Sequence, residues 1–514
     1  MSALETSNKQ LKFGAMLSYL AIGINILSAL IYSPWMLQQI GEGDYGLYTL
    51  ATSLINMFLL DFGISSAVSR FITKNIAQNQ QERVNQLLGV VYRLFFAISA
   101  LISIFLFVVY FFVDQIYVSL TPAELSRFRV VYIISSLYSV VSLPLNATVN
   151  GILSSYEKFV QVKLCDVIHK LCTVALIVIA LVGGYGLYAL VAINAVSNLF
   201  FLIVKYFLIK IYTPVKVRFK YRDQTLLKEI FGFSVWVFIN SICSRLIMNI
   251  CPNILGVTAG TAAITIFSFA SAIEGYSYSF SSAIDGMFMP RIARITYGEN
   301  SDHKSEDILN LMIKVGRFQY HLIGLVLIGF AAVGRDFILL WLGNEYMEVY
   351  YCALLLLLPA PFYLSQQIAK NTMVVTNQVK YLTFVNIFKA ALNVLLASVL
   401  STFWGALGAC VSICVSYSFR NIANMYLYKT KLSLNIGTFC KKCYGRMSIA
   451  MAITILFSLL LFFLEVNSWI GLIIKVLLIV GIYITSMWFL AYTADEKRAF
   501  AHLCRRDSKR DIGK

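Results

Sequence analysis

The chain has 514 residues, of which 59% are hydrophobic and only 13% are charged. Soluble domains are roughly 45–50% apolar and about 25% charged, so this composition excludes a water-soluble globular protein. The formal net charge of +17 comes from 42 Lys and Arg against 25 Asp and Glu. Because these charges recur at the spacing of loops between apolar runs, they indicate membrane orientation and not nucleic-acid binding.

Long apolar runs follow one another along the whole chain, and each is about the length that crosses a bilayer, roughly 20 residues. They predict about fourteen spanning helices, over residues 12–38, 46–69, 89–113, 130–153, 165–182, 187–209, 230–252, 264–290, 312–334, 352–376, 382–402, 405–428, 447–464 and 470–492. The first run is too long for a signal-peptide core and lacks a small-residue cleavage site, so we expect it to remain as a spanning helix. The sequence therefore predicts an all-α polytopic membrane protein.

The loops between these runs alternate in basic content. Five loops contain no Lys or Arg, at residues 41–45, 183–186, 253–263, 403–404 and 465–469. The intervening loops are basic, and residues 210–228 alone hold six Lys and Arg. Because basic loops stay in the cytoplasm, both termini are predicted to be cytoplasmic.

Two sequence echoes, separated by about 220 residues, indicate an internal repeat. Residues 150–159 resemble residues 371–380, and the glycine-containing turn at 184–189 resembles the one at 405–409. They predict two pseudo-symmetric six-helix lobes in parallel orientation. The predicted parts are an N-lobe (1–209), a basic linker (210–229), a C-lobe (230–428), an extra helix pair (429–492) and a basic cytoplasmic tail (493–514).

Polar side chains recur at helical spacing inside several of the apolar runs. The stripes are Asn25, Ser28 and Tyr32; Ser135, Ser139, Ser142, Asn146 and Asn150; Asn194, Asn198 and Lys205; Glu274, Tyr278, Ser281 and Asp285; and Ser412, Ser416, Arg420 and Asn424. Polar groups that face lipid are costly, so these stripes are predicted to face the bundle interior or a water-filled cavity. For the Ser and Asn members we favour interhelical hydrogen bonds over a ligand site.

Charged side chains inside the helices need a stronger explanation, because a charge at mid-bilayer costs about 2.5–3.5 kcal/mol on insertion scales. Arg245 is the deepest in its run, and further cations inside predicted helices are Lys370, Lys389, Arg420, Arg317 and Lys475. An equally good explanation for Arg317 and Lys389 is that their long side chains extend to the cytoplasmic interface. Lys475 has no polar neighbour in sequence. The excess of cations predicts an anion-binding cavity, and the guanidinium fork suits phosphate oxygens.

Three acidic side chains also lie inside predicted helices: Asp61, Glu274 and Asp285. Glu274 is near the middle of its helix and is predicted to pair with Arg245 on the preceding helix, either as a static ion pair or as a protonatable switch.

Motifs of soluble catalysis and metal binding are missing from the sequence. It contains no GxxxxGK[ST] phosphate loop, HExxH or GxSxG, and no outside loop is long enough for a catalytic domain. Cys440 and Cys443 form a single CxxC without the second ligand pair that zinc requires. We therefore predict a non-enzyme without a metal or cofactor.

The first predicted hairpin resembles a known family. Its turn contains Tyr45, Gly46 and Tyr48, and about fifteen residues later Asp61 and Gly63 precede Arg70 in the run LDFGISSAVSRF. This pair of motifs resembles the signature of the polysaccharide transporter (Wzx-type) flippases. That family belongs to the multidrug, oligosaccharidyl-lipid and polysaccharide (MOP) exporter superfamily, with the multidrug and toxin extrusion (MATE) antiporters and the lipid II flippases.

The resemblance implies a flippase that moves undecaprenyl-diphosphate-linked oligosaccharide units across the bacterial inner membrane by alternating access, driven by H⁺ or Na⁺. The products in question are O-antigen, capsule or exopolysaccharide, and the implied partners are membrane lipids with the polymerase and chain-length regulator of the same pathway. Under this hypothesis Arg245, Lys389, Arg420, Lys370 and Asn25 form the cationic substrate site. Glu274, Asp61 or Asp285 couples ion binding to the motion.

Three other functions remain open at the sequence level. A MATE-type cation antiporter would need acids in excess in its cavity, opposite to the pattern here. A membrane glycan polymerase or ligase would need a larger outside loop. A non-transporting scaffold would leave the charge of Arg245 unexplained.

Overall fold

The computed structural model describes residues 3–58, 71–73, 75–76, 78–156, 158–219, 221, 224–285, 288–297, 304–462, 466, 468–494 and 496–498. About 90% of the described residues are helical, and none of them lies in a β-strand. This confirms the all-α prediction. Helices dominate because the apolar core of a bilayer offers no partner for backbone N–H and C=O groups, which must therefore bond within their own segment.

The helices are numbered in chain order. They are α1 (Ala3–Phe58), α2 (Gln81–Phe111), α3 (Val113–Ile116), α4 (Pro122–Ser155), α5 (Phe159–Val182), α6 (Leu187–Tyr212), α7 (Gln224–Thr258), α8 (Gly260–Asp285), α9 (Met289–Tyr297), α10 (Lys304–Trp341), α11 (Glu348–Leu357), α12 (Ala360–Leu364), α13 (Gln367–Val375), α14 (Val379–Lys431), α15 (Ile436–Cys440), α16 (Arg446–Phe462) and α17 (Trp469–Leu490). Among the described residues, eight helical segments are long and apolar enough to cross a membrane. The protein is thus a multi-pass membrane protein, and the number of fourteen crossings stays a prediction.

Glycines with positive φ mark four of the predicted outside turns. Gly41 (φ 80°) breaks α1 into two arms, and Gly260 (φ 84°) separates α7 from α8. Gly184 (φ 79°) separates α5 from α6, and Gly405 (φ 52°) breaks α14. Side chains other than glycine rarely adopt this backbone conformation. Gly41 and Gly260 are 219 residues apart, and Gly184 and Gly405 are 221 apart. Both separations match the repeat of about 220 residues seen in the sequence.

The two halves of this repeat touch through equivalent residues within one compact part of the chain. Thr265 donates a hydrogen bond to the carbonyl oxygen of Glu42 (3.0 Å), and a Cβ at Gly46 would lie 2.5 Å from the carbonyl oxygen of Thr261. With an offset of 219 residues, Glu42 is equivalent to Thr261 and Gly46 to Thr265, so each contact is the counterpart of the other. Such reciprocal pairs are what a two-fold relation between parallel repeats produces.

Two predicted segments differ from the structure. The helix predicted to end at residue 252 continues to Thr258 with Pro252 inside it, which membrane helices tolerate better than soluble ones. The single helix predicted over residues 352–376 is divided into α11, α12 and α13. Pro359 and Pro361 stand at the first break, where the missing N–H groups and the proline rings interrupt a continuous helix. The short helix α9 was not predicted.

The described chain folds into two compact units. Unit 1 is Met1–Ala272 with Val379–Ser416, and unit 2 is Ile273–Gln378 with Tyr417–Lys514. These units group segments by their packing and do not delimit repeats, so the predicted lobe boundaries stay a prediction. In unit 1, a buried apolar cluster joins α2, α4 and α6 around Leu88, Phe95 and Leu153.

The beginning of the predicted basic linker is packed against the start of α2. Backbone N–H groups of Lys216 and Arg218 donate to the side-chain and main-chain oxygens of Asn85 (2.8 and 3.1 Å), and Arg218 Nε pairs with Glu82 (3.0 Å). A Cβ at Gly89 would lie 2.0 Å from the carbonyl oxygen of Arg218. Glycine at this position is therefore what allows the linker to lie on the helix.

Candidate functional site

Unit 2 brings an acid, a cation and two tyrosines together in one partly buried cluster. Helix α8 contributes Glu274, α12 contributes Tyr363, and α14 contributes Arg420 with Tyr417 one turn before it. Glu274 is only 7% exposed. Two members, Glu274 and Arg420, were predicted from the sequence as site residues, although in separate roles.

The members of this cluster contact one another through a hydrogen bond and through the two tyrosine rings. Tyr363 Oη donates a hydrogen bond to Glu274 Oε1 at 3.0 Å. The guanidinium carbon of Arg420 lies 4.7 Å from the ring centroid of Tyr363 and 4.4 Å from that of Tyr417. Both distances are within the range of cation–π attraction, and the charge of Arg420 acts on the Glu274 carboxylate. Arg420 Nε is buried and has no hydrogen-bond partner within the described part of the chain.

The interrupted helix explains how Tyr363 reaches Glu274. Helix α12 has only five residues, Ala360–Leu364, and begins after Pro359. Broken helices in transporters are found where the backbone lines a substrate or ion site. The sequence prediction did not include Tyr363, and the signal that could have found it is the pair Pro359 and Pro361 inside an apolar run.

The remaining predicted cations are placed differently. Lys389 of α14 is 1% exposed and lies in unit 1, where its charge acts on Cys243 of α7. Near Lys389, helix α14 is held against α7 because Asn386 donates a hydrogen bond to Asn240 Oδ1 (2.5 Å). Lys370 lies on α13 and is exposed. Lys389 thus belongs to unit 1, whereas Lys370 and Arg420 belong to unit 2.

Several predicted residues lie outside the described part of the chain. Asp61, Gly63 and Arg70 are not among the described residues. For Asn25, Arg245 and Asp285 the structure describes the helical backbone and not the side chain. The predicted pairing of Glu274 with Arg245 thus stays a prediction, beside the observed contact with Tyr363.

The described signature residues of the first hairpin are packed inside unit 1. Tyr45 stacks on Phe269 with ring centroids 4.9 Å apart. Gly46 provides the close approach to Thr261, and Tyr48 Oη accepts a hydrogen bond from Asn194 (3.3 Å). Tyr45 and Gly46 thus hold the hairpin against α8.

Two charged side chains of unit 2 fasten the C-terminal helices. Arg317 of α10 makes two 2.7 Å bonds to Glu496 and donates to the carbonyl oxygens of Lys442 (2.6 Å) and Ala491 (2.8 Å). Arg317 is only 7% exposed, and the reach of its side chain to the cytoplasmic interface stays a prediction. Lys475 of α17 pairs with Asp336 of α10 at 2.6 Å, a partner 139 residues away that sequence spacing did not reveal.

The CxxC pair lies beside Arg317. Cys440 ends α15, and Cys443 is buried in the single π-helical turn Lys441–Gly445. Burial raises the pKa of the Cys443 thiol to about 12, although the charge of Arg317 works against it. Among the described residues, no group of three or more His, Cys, Asp and Glu side chains is arranged to hold a metal ion.

Comparison with known proteins assigns the family and the fold. A family model described as "Polysaccharide biosynthesis protein" matches residues 12–296, more than half of the chain. The chain belongs to this family. None of the curated proteins compared matches it.

Solved structures match this member of the polysaccharide biosynthesis family over nearly their full lengths. The lipid II flippase MurJ in an inward closed conformation has a TM-score of 0.70 at 13% identity, covering 94% of this chain and 97% of its own. An inward-facing MATE transporter of the MOP superfamily has a TM-score of 0.64 at 13% identity, covering 82% and 98%. A MOP superfamily transporter from Pyrococcus furiosus has a TM-score of 0.60 at 15% identity, covering 83% and 95%. The protein therefore has the MOP superfamily fold, as its sequence signature predicts.

Proposed function

We propose that this polysaccharide biosynthesis protein is a flippase. It moves undecaprenyl-diphosphate-linked oligosaccharide units from the cytoplasmic to the outer leaflet of the bacterial inner membrane by alternating access. The family match and the fold shared with a lipid II flippase support a transporter that handles a lipid-linked sugar. The driving force is a gradient of H⁺ or Na⁺, and both termini lie in the cytoplasm.

The observation that supports this proposal most directly is the environment of Arg420. Its planar guanidinium is positioned by the rings of Tyr363 and Tyr417, and Nε has no hydrogen-bond partner in the described chain. A fork of N–H donors held in this way matches the oxygens of a diphosphate. Arg420 is therefore our first candidate for the phosphate-binding residue.

Glu274 supplies a means of coupling in this scheme. The Glu274 carboxylate and the substrate diphosphate compete for the same guanidinium, so a proton on Glu274 leaves Arg420 available to the phosphate. Loss of that proton restores the attraction between Glu274 and Arg420 and favours release. A switch of this type requires an interaction whose strength differs between protonated and ionised Glu274. The hydrogen bond that Tyr363 donates to Glu274 Oε1 provides it.

The other predicted residues have supporting roles in the proposal. Arg245, Lys370 and Asn25 extend the polar surface that the substrate crosses. Lys389 joins them only in another conformation, because here it is 1% exposed. Asp61 and Asp285 are the alternative coupling acids.

Complementation of a strain that lacks the chromosomal gene tests the flippase and the role of Arg420 together. We expect Arg420→Ala to lower the appearance of lipid-linked units on the outer leaflet by roughly 10- to 150-fold, since hydrogen bonds to charged groups contribute about 1.5–3 kcal/mol. Arg420→Lys retains the charge without the fork and is expected to give an intermediate rate. Leaflet-specific labelling of the lipid-linked oligosaccharide measures both.

The matched control is Lys429→Ala, which removes an exposed cation from the same helix and is expected to transport normally. Units that reach the outer leaflet without this protein but remain unpolymerised would show a polymerase or its partner instead. Resistance to organic cations on overexpression, with normal polysaccharide in the deletion strain, would show a MATE-type antiporter.

A further inference from the structure

Unit 1 contains a second polar site, a partly open cavity far in sequence from the Arg420 cluster. A cavity of about 230 Å³ lies among the second arm of α1, α4 and α6. Four asparagines, two tyrosines, a serine and a threonine line it, and none of the lining residues that the structure describes carries a charge. A neutral polar cavity inside a membrane-spanning bundle indicates a ligand or water with hydrogen-bonding groups, since polar walls are costly beside lipid.

The amide groups of α6 are oriented by the cavity wall itself. The Asn194 side-chain nitrogen donates to the carbonyl oxygen of Leu190 (3.0 Å) and to Tyr48 Oη (3.3 Å). The Asn198 side-chain nitrogen donates to the carbonyl oxygen of Asn194 (2.7 Å). Asn194 thus uses both of its N–H donors within the wall and Asn198 uses one of its two, which leaves their carbonyl oxygens and the second N–H of Asn198 for an occupant.

Helix α4 contributes groups that lack a protein partner. Ser135 is 3% exposed, lines the cavity, and its Oγ has no hydrogen-bond partner among the described residues. Asn146 lies three turns further along the same helix and also faces the cavity. Buried hydroxyls in native proteins are almost always hydrogen-bonded, so Ser135 Oγ indicates a polar occupant of the cavity.

We infer that this cavity binds one neutral sugar ring of the saccharide that the protein carries. Sugar hydroxyls both donate and accept, which matches the mixture of carboxamides and hydroxyls in the wall. The rings of Tyr48 and Tyr138 cover the less polar faces of a sugar. The absence of charge among the described lining residues argues against phosphate and against a metal cation, which prefers carboxylates. The inference rests on the proposed function and adds a sugar-recognition site to it.

The size of the cavity limits the occupant. At about 30 Å³ for each water molecule, its volume corresponds to roughly eight waters. That is enough for a single sugar ring, and a longer saccharide would extend beyond the described walls. The site therefore reads one residue of the repeat unit, while the rest of the saccharide stays outside the cavity.

Binding of free monosaccharides to the purified full-length protein tests this inference. Glucose, galactose and N-acetylglucosamine are the probes, and saturation-transfer NMR with a thermal-shift titration gives the dissociation constants. We expect at least one sugar to bind. Ser135→Ala and Asn146→Ala should each weaken it by roughly ten-fold, equivalent to about 1.4 kcal/mol. Ala195→Leu, which fills the cavity without removing a polar group, should abolish binding.

Two variants separate this inference from other effects. Thr148→Ala removes a buried hydroxyl from the same helix that does not line the cavity, so it should bind sugar normally. Arg420→Ala should also bind sugar while losing translocation, which distinguishes failure of this inference from failure of the flippase proposal. The inference is overturned if no sugar binds, if Ser135→Ala binds unchanged, or if Na⁺ or K⁺ alone stabilises the protein through Ser135.

Discussion

At the scale of single residues, the same side-chain type has different uses in this protein. Arg317 and Arg420 both lie inside predicted membrane helices. Arg317 donates four of its five N–H groups, to two carboxylate oxygens and two carbonyl oxygens, whereas Arg420 lies against tyrosine rings with its Nε unpartnered in the described chain. The first makes a structural contact, and the second keeps hydrogen-bonding capacity that our proposal assigns to the substrate.

Gly46 gives a residue-scale prediction about the first hairpin. A Cβ there would lie 2.5 Å from the carbonyl oxygen of Thr261, whereas a Cβ at Gly43 would be 3.5 Å from its nearest neighbour, Glu124. We expect Gly46→Ala to lower the free energy of unfolding by about 1–3 kcal/mol, as overpacking does, and Gly43→Ala to have little effect. Thermal aggregation of the detergent-purified variants measures the difference. Equal midpoints for the two variants would refute the packing role of Gly46.

At the scale of elements, the C-terminal helices are fastened to α10 by polar contacts at both ends. Lys475 of α17 reaches Asp336, and Tyr483 Oη donates to the carbonyl oxygen of His321 (2.8 Å). After α17 the chain returns to Arg317 through Glu496. The extra helix pair is therefore an integral part of unit 2.

The contact between Glu496 and Arg317 predicts a pH dependence. Burial works to raise the pKa of Glu496, but hydrogen bonds from Arg317 and Thr493 outweigh it and leave the pKa below the ordinary 4.5. A carboxyl with a lowered pKa stabilises the folded state above its ordinary pKa, and this contribution is lost as the pH falls through the lowered value. We therefore expect α17 to be protected at neutral pH and to lose protection as the pH falls below about 4.5.

Hydrogen exchange of α17 peptides, corrected for intrinsic rates, measures this loss. Peptides from α6 serve as the internal reference, because that helix lies in the other unit. Glu496→Gln should expose α17 at neutral pH and remove the additional acid-dependent loss. A variant that keeps the wild-type pH dependence would show that another group titrates.

At the scale of the whole molecule, the repeat predicts how the chain moves. Thr49 Oγ1 donates to Ser268 Oγ at 3.3 Å, and these two residues are 219 apart, the offset of the repeat. Under the proposed alternating access, contacts between the two halves of the repeat must open in every cycle. Contacts within one predicted lobe, such as Thr258 with Ser401 at 2.9 Å, need not open.

Cysteine cross-linking separates these two kinds of contact. In a background without native cysteines, we expect Thr49→Cys with Ser268→Cys to form a disulfide that stops translocation until a reductant is added. Thr258→Cys with Ser401→Cys should form a disulfide and leave translocation above half of the uncross-linked rate. Undiminished translocation by the oxidised Thr49 and Ser268 pair would contradict opening at this contact.

The sequence predicted the broad architecture because that information is local and additive. Each apolar run identifies a helix without reference to its neighbours, and Gly184 and Gly405 mark equivalent turns through residue type alone. Element ends were less accurate, since Pro252 continues a helix whereas Pro359 and Pro361 interrupt one. The same residue type has opposite effects because the packing around it decides whether the backbone can bend or break.

The sequence by itself determined the membrane class, the helical fold, the repeat and the family resemblance, all of which follow from composition, periodicity and short motifs. Only the tertiary structure decided which polar groups meet. Tyr363 is 89 residues from Glu274, and Asp336 is 139 residues from Lys475. The physical reason is that a hydrogen bond or ion pair acts over a few ångströms in space. Helix packing creates that proximity, and spacing along the chain does not encode it.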